Sequence, residues 1–95
     1  MFRVLAALML VSATASAQDA DLGGLTPGPG AEAVYYACSA CHSLAIVKQQ
    51  RLDRDTWDAT LDWMVYDQGM AELDADERDL ILNYLATSLG RDAPR

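Results

Sequence analysis

Five consecutive residues, Cys38, Ser39, Ala40, Cys41 and His42, hold both cysteines and the only histidine of a 95-residue chain. A chain this short buries a small core and often depends on a staple or a bound group to stay folded. With every thiol and the one imidazole gathered in a single stretch, that staple or group is confined to one point, and the remaining elements have to be arranged around it.

The chain begins "MFRVLAALMLVSATASAQ", with a basic start at Arg3, an apolar run from Val4 to Val11, and small residues ending Ala15-Ser16-Ala17. This layout predicts a secretory signal over residues 1–17, cleaved before Gln18, and therefore a periplasmic protein. The apolar run is far short of the roughly 20 residues that a membrane span needs. No later stretch approaches that length, so no span is expected after signal removal. Cleavage leaves 78 residues, and losing Arg3 takes the formal net charge from −7 to −8. An acidic balance without a basic block argues against nucleic acid and anionic membrane surfaces as partners. It suits a partner protein with a basic docking patch, and equally suits plain solubility.

Residues 18–30, "QDADLGGLTPGPG", are rich in Gly, Pro and Asp without apolar periodicity and predict a flexible leader. One domain is expected over 31–90, followed by a tail at 91–95. Three helices are predicted in it. The first covers about Ala31 to Cys41. The second begins near Asp53 or Asp55, both able to cap an N-terminus, and stops at Gly69. Its Trp57, Leu61, Met64 and Val65 recur at the i, i+4, i+7, i+8 spacing of one helix face. The third opens in "LDADERDL", where Asp74 and Glu77 form a capping-box pair. It carries the apolar stripe Leu80, Ile81, Tyr84 and Leu85 and ends at Gly90. No segment alternates with period two over a useful length, so the fold class is all-α. Three short amphipathic helices make a thin core, and a large apolar body besides the side chains is called for.

Cys38 and Cys41, three apart on a helical turn, present both sulfurs on one side of the chain, within reach of the two vinyl groups of a porphyrin. His42, next in sequence, then points its imidazole back at the iron. The motif thus predicts covalent attachment of one haem c through Cys38 and Cys41, with His42 as proximal ligand. Three other readings compete. A Cys38–Cys41 disulfide would leave His42 incidental. A thioredoxin-like redox pair requires a βαβ context, and no strand is evident. A structural zinc site needs four ligands, where this stretch offers three.

With no second histidine, the sixth iron position falls to methionine, whose thioether raises the reduction potential. Met1 and Met9 leave with the signal, so Met64 and Met70 remain. Met64 lies on the apolar face of the second helix, where a methionine also serves as core packing. Met70 follows Gly69 in a loop free to aim its sulfur inward. Periodicity leaves both open. Arg51 and the Trp57 indole N–H are candidate partners for a haem propionate; an exposed Arg51 among Asp53 and Asp55, and a packed Trp57, are the plainer alternatives.

"CSACH", a central segment and "LDADERDLILNYLATSLG" together resemble the small class I c-type cytochromes. The resemblance spans about residues 30–90. It implies a helical domain around one haem in which the terminal helices cross, with a Gly eight residues before the first Cys, here Gly30, and an aromatic in the last helix, here Tyr84. Where that family carries an aromatic four before the first Cys, this chain has Val34, with Tyr35 and Tyr36 beside it. More narrowly, "CHSLAIV", "TWDATLDWMV" and "ILNYLATSLG" look like the haem subunit or domain of periplasmic dehydrogenases of the sulfite dehydrogenase type, in which a Trp precedes a Met by seven residues. Trp57 and Met64 match that spacing. The narrower resemblance implies Met64 as the preferred sixth ligand; the wider class implies Met70.

The expected function is electron transfer without catalysis, the iron cycling between Fe(III) and Fe(II) in a free carrier or in the haem subunit of an oxidoreductase. Its partners would be a periplasmic dehydrogenase and a terminal acceptor. The alternatives are a gas- or peroxide-binding haem protein with a labile sixth ligand, and a haem-free interaction module with a disulfide.

Overall fold

The computed structural model describes residues 22–40 and 42–94. The predicted signal at 1–17, the first residues of the leader, Cys41 and Arg95 lie outside that range. Among the described residues there are four helices and no strand: α1 (Ala31–Cys38), α2 (Leu44–Lys48), α3 (Arg54–Gln68) and α4 (Ala75–Ser88). The all-α class is what the patterning predicts. No helix among the described residues is long and apolar enough to cross a membrane.

Local chemistry accounts for the helix ends. Asp53 caps α3 by accepting the Thr56 N–H at 2.8 Å, and Asp74 caps α4 by accepting the Glu77 N–H at 2.8 Å. Gly69 ends α3 with φ 77, a left-handed conformation that glycine adopts without a Cβ clash. α1 stops at Cys38 rather than running on to Cys41, because Ser39 makes the last helical bond, to the Tyr35 carbonyl. Ser43 then restarts the chain in a new direction: its backbone is extended, and its hydroxyl accepts the Ala45 N–H to open α2. A helix of five residues is too short to leave a periodic signature, which is why α2 was not foreseen.

α4 packs against both α1 and α3 and is the spine of the fold. Its buried arc runs through Tyr84, Ile81, Leu85 and Leu82. Leu80, expected in the stripe, falls just beyond the edge of that arc and is 41 % exposed, while Leu82 is buried on the other side. The stripe is displaced because α4 has two neighbours, so the centre of its buried face follows both. On α3, Trp57 and Leu61 are buried, and Met64 and Val65 are half-buried. Arg78 of α4 ties the two helices outside the core, reaching Asp58 at 2.7 Å and Asp62 at 3.0 Å.

The contact of α1 with α4 is made at Gly30. This residue has φ 91, and a Cβ placed on it would lie 2.7 Å from the Leu80 carbonyl oxygen and 2.9 Å from the Tyr84 Cβ. Only glycine permits the two backbones to approach so closely. Val34, one turn on, is fully buried, whereas Tyr36 is exposed.

The ends of the described chain are fastened to this frame. Residues 22–30 have no helix and lie against that frame: Leu25 is buried in the core, the Tyr84 hydroxyl donates to the Thr26 carbonyl at 2.7 Å, and Lys48 Nζ donates to the Gly23 carbonyl. At the other end Arg91 pairs with Asp53 at 3.2 Å, so the tail too is engaged.

Candidate functional site

The end of α1, the turn after it, α2 and α3 enclose a cleft of about 700 Å³. That volume is within the usual range for small-molecule and cofactor sites. Ile46, Val47, Leu52, Trp57, Trp63 and Leu85 make most of its wall apolar, and Gln50, Thr60 and Gln68 supply the few polar groups.

Four of the five residues singled out in the sequence meet here. Cys38, His42, Met64 and Met70 all line the cleft. Cys38 comes from the last turn of α1 and is 4 % exposed, with a free thiol that burial pushes up to about 11. A thiol so placed is held neutral and is inert towards solvent reagents. Cys41, the fifth, is outside the described residues.

His42 sits in the turn between α1 and α2. Its Nδ1 lies 3.2 Å from the Ser43 carbonyl oxygen. A carbonyl can only accept, so Nδ1 is the donor in this contact, which leaves Nε2 as the nitrogen available to a metal. A backbone acceptor on one imidazole nitrogen is the arrangement that orients the other towards a metal.

Met64 belongs to α3 and packs against the core, while Met70 follows the helix stop. The Met64 carbonyl accepts the backbone N–H groups of both Gly69 and Met70, the latter at 3.0 Å. This pair of bonds folds the loop back over the helix end and returns the second thioether to the cleft that the first already lines.

The two residues read as propionate partners have other commitments. The Trp57 indole N–H donates to the Leu89 carbonyl at 3.2 Å in a buried bond. Arg51 Nη1 faces the carbonyls of Ser88, Ala93 and Pro94 at 3.5, 3.5 and 3.3 Å. Trp57 thus serves a carbonyl that the end of α4 leaves without a helical partner, and Arg51 Nη1 serves one there and two in the tail beyond it. Arg51 Nε is buried without a hydrogen-bond partner among the described residues.

Sequence reasoning missed Trp63, Ile46 and Gln68 as cleft residues. Trp63 was legible only as the neighbour of Met64 on the helix; Ile46 depended on α2, which was not foreseen. Among the described residues no three Cys, His, Asp or Glu side chains come together as a cation site. The nitrogen and sulfur donors of the cleft are a different set, soft and sparse in an apolar wall, which fits a large apolar cofactor bearing its own metal better than a bare ion. Comparison of the chain with protein-family models, curated proteins and solved structures finds no match.

Proposed function

We propose that this chain is a periplasmic monohaem cytochrome of the class I c type, an electron-transfer protein without catalytic activity of its own. The observation that carries the reading is the apolar cleft in which Cys38, His42 with its Nδ1 on a backbone carbonyl, Met64 and Met70 converge. The close crossing of α1 and α4 at Gly30 supports it as well, since the resemblance leads one to expect a glycine there.

When bound in the cleft, haem c supplies a one-electron Fe(III)/Fe(II) couple. Cys38 and Cys41 would hold it as thioethers, and His42 would give Nε2 to the proximal side of the iron. Met64 would be the preferred thioether donor to the iron because a residue on a helix, packed against the core, is placed more rigidly than one in a loop; Met70 would be the alternative. Val47, Leu52 and Leu85 line the cleft with apolar surface and would keep water from a bound ring, which would limit reorganisation and raise the potential. The partners implied are a periplasmic dehydrogenase, as donor or as catalytic subunit, and a terminal acceptor.

The test is an absorption spectrum of protein exported alongside haem-attachment machinery, recorded oxidised and then reduced. A low-spin haem c spectrum that ferrous carbon monoxide does not alter at once supports the reading. Immediate alteration would assign an open sixth site, and a colourless protein would remove haem altogether.

A further inference from the structure

Helix α3 leaves two aromatic rings in solvent on the side turned from the core: Trp63 is 54 % exposed and Tyr66 75 %. They are i, i+3 neighbours on adjacent turns. Trp63 also lines the cleft, so one ring borders both the site and the outside. Single exposed apolar residues are ordinary. Two adjacent rings continuous with a cleft rim, where Ile46 is exposed too, make the aromatic centre that protein interfaces favour.

Charge identifies the occupant. Between Asp55 and Glu77 there is no Lys or Arg, while Asp55, Asp58, Asp62, Asp67, Glu72, Asp74, Asp76 and Glu77 all fall there. Arg78 occupies Asp58 and Asp62. Asp55 and Asp67 are exposed and in no ion pair among the described residues. At 3.6 residues per turn, Asp55, Trp63, Tyr66 and Asp67 all lie within about 60° of the direction opposite the buried Leu61. We propose that this face of α3 docks a protein partner through a patch of Arg and Lys side chains, whose cations stack on the Trp63 and Tyr66 rings while Asp55 and Asp67 draw them in. A second copy of this chain would bring like charge to like charge on the same face. The proposal rests on the electron-transfer reading only for the purpose of the contact, which brings the partner beside the cleft.

The test uses the full matured protein, nitrogen-15 labelled and reduced, titrated with a short oligoarginine peptide, with oligoglutamate as control. Expected are shifts concentrated at the Trp63 indole, Tyr66 and Asp67, abolished by salt and absent with oligoglutamate. Asp55→Asn with Asp67→Asn should weaken binding about threefold or more, and Trp63→Ala or Tyr66→Ala about threefold each. The charge-matched pair Asp76→Asn with Asp79→Asn should change it little. Tyr66 does not line the cleft, so its variant stands if Trp63→Ala disturbs the site. Equal losses from the two charge pairs, shifts spread over α4, or ring variants that bind as wild type would overturn the proposal, as would a sedimenting dimer that Tyr66→Ala dissolves. Haem-bearing protein without localised shifts refutes the docking face alone; colourless protein with them refutes the haem reading alone.

Discussion

The backbone N–H of Met70 donates to the carbonyl of Met64 at 3.0 Å, so the two methionines of the cleft are tied together through the main chain as well as by the space they share. The carbonyl of the helix-borne residue fixes where the loop-borne one begins. Replacing either side chain by alanine leaves this bond intact, which makes the two substitutions a clean pair. Met64→Ala is expected to abolish the near-infrared sulfur-to-iron band of the oxidised protein and lower its reduction potential, whereas Met70→Ala should keep the band. The opposite pattern would assign the iron to Met70, and loss of the band in neither would refute thioether ligation from this cleft.

Gly30→Ala introduces a Cβ into the space held by the Leu80 carbonyl, at a φ of 91. Left-handed backbone costs a residue with a Cβ roughly 1–2 kcal/mol, and overpacking a close contact about 1–3 kcal/mol more. Denaturant unfolding should therefore show a loss of at least about 2 kcal/mol. A variant as stable as the parent would mean that α1 and α4 do not meet at this residue.

Arg51→Met tests whether the guanidinium serves the end of α4 or the cofactor. Removing charged donors from the Ser88, Ala93 and Pro94 carbonyls should cost about 1–3 kcal/mol of stability. Arg51→Lys should restore little, since an ammonium lacks the planar fork. The reduction potential should stay where it is. A potential that moves while stability holds would return Arg51 to a propionate.

Tyr84 donates its hydroxyl to the Thr26 carbonyl, and burial raises its ionisation above the ordinary tyrosine range. A raised acid favours the neutral form in the fold. Its contribution is therefore complete below about pH 10, the unfolded value, and is lost as pH climbs towards the folded one. Tyr84→Phe should cost about 1 kcal/mol at neutral pH and flatten the alkaline end of the stability profile. Unchanged stability at neutral pH would show that the bond to Thr26 contributes nothing, and an unchanged alkaline end that burial does not hold the phenol neutral.

The parts of this fold that follow local rules could be read in advance. Asp53, Gly69 and Asp74 end their helices because capping and left-handed stops are decided within a few residues. Trp57 and Leu61 are buried as their spacing requires. What escaped the sequence was decided by neighbours distant in the chain. The exposure of Leu80 depends on how α4 is shared between α1 and α3. The attachment of residues 22–30 depends on Leu25 and Tyr84, nearly sixty positions apart, and the roles of Arg51 and Trp57 on unsatisfied carbonyls at the end of α4. The cleft was legible in its donors and not in its walls: Cys38, His42, Met64 and Met70 stand out by scarcity, while Ile46 and Trp63 are common residues made important only by position.

The most direct measurement is the intact mass of the exported, matured protein under denaturing conditions. The expected mass is that of the chain from Gln18 onward plus one haem, which two thioethers would retain through acid and solvent. A mass equal to the bare polypeptide, with the Cys38 and Cys41 thiols free or joined to each other, would contradict the haem reading.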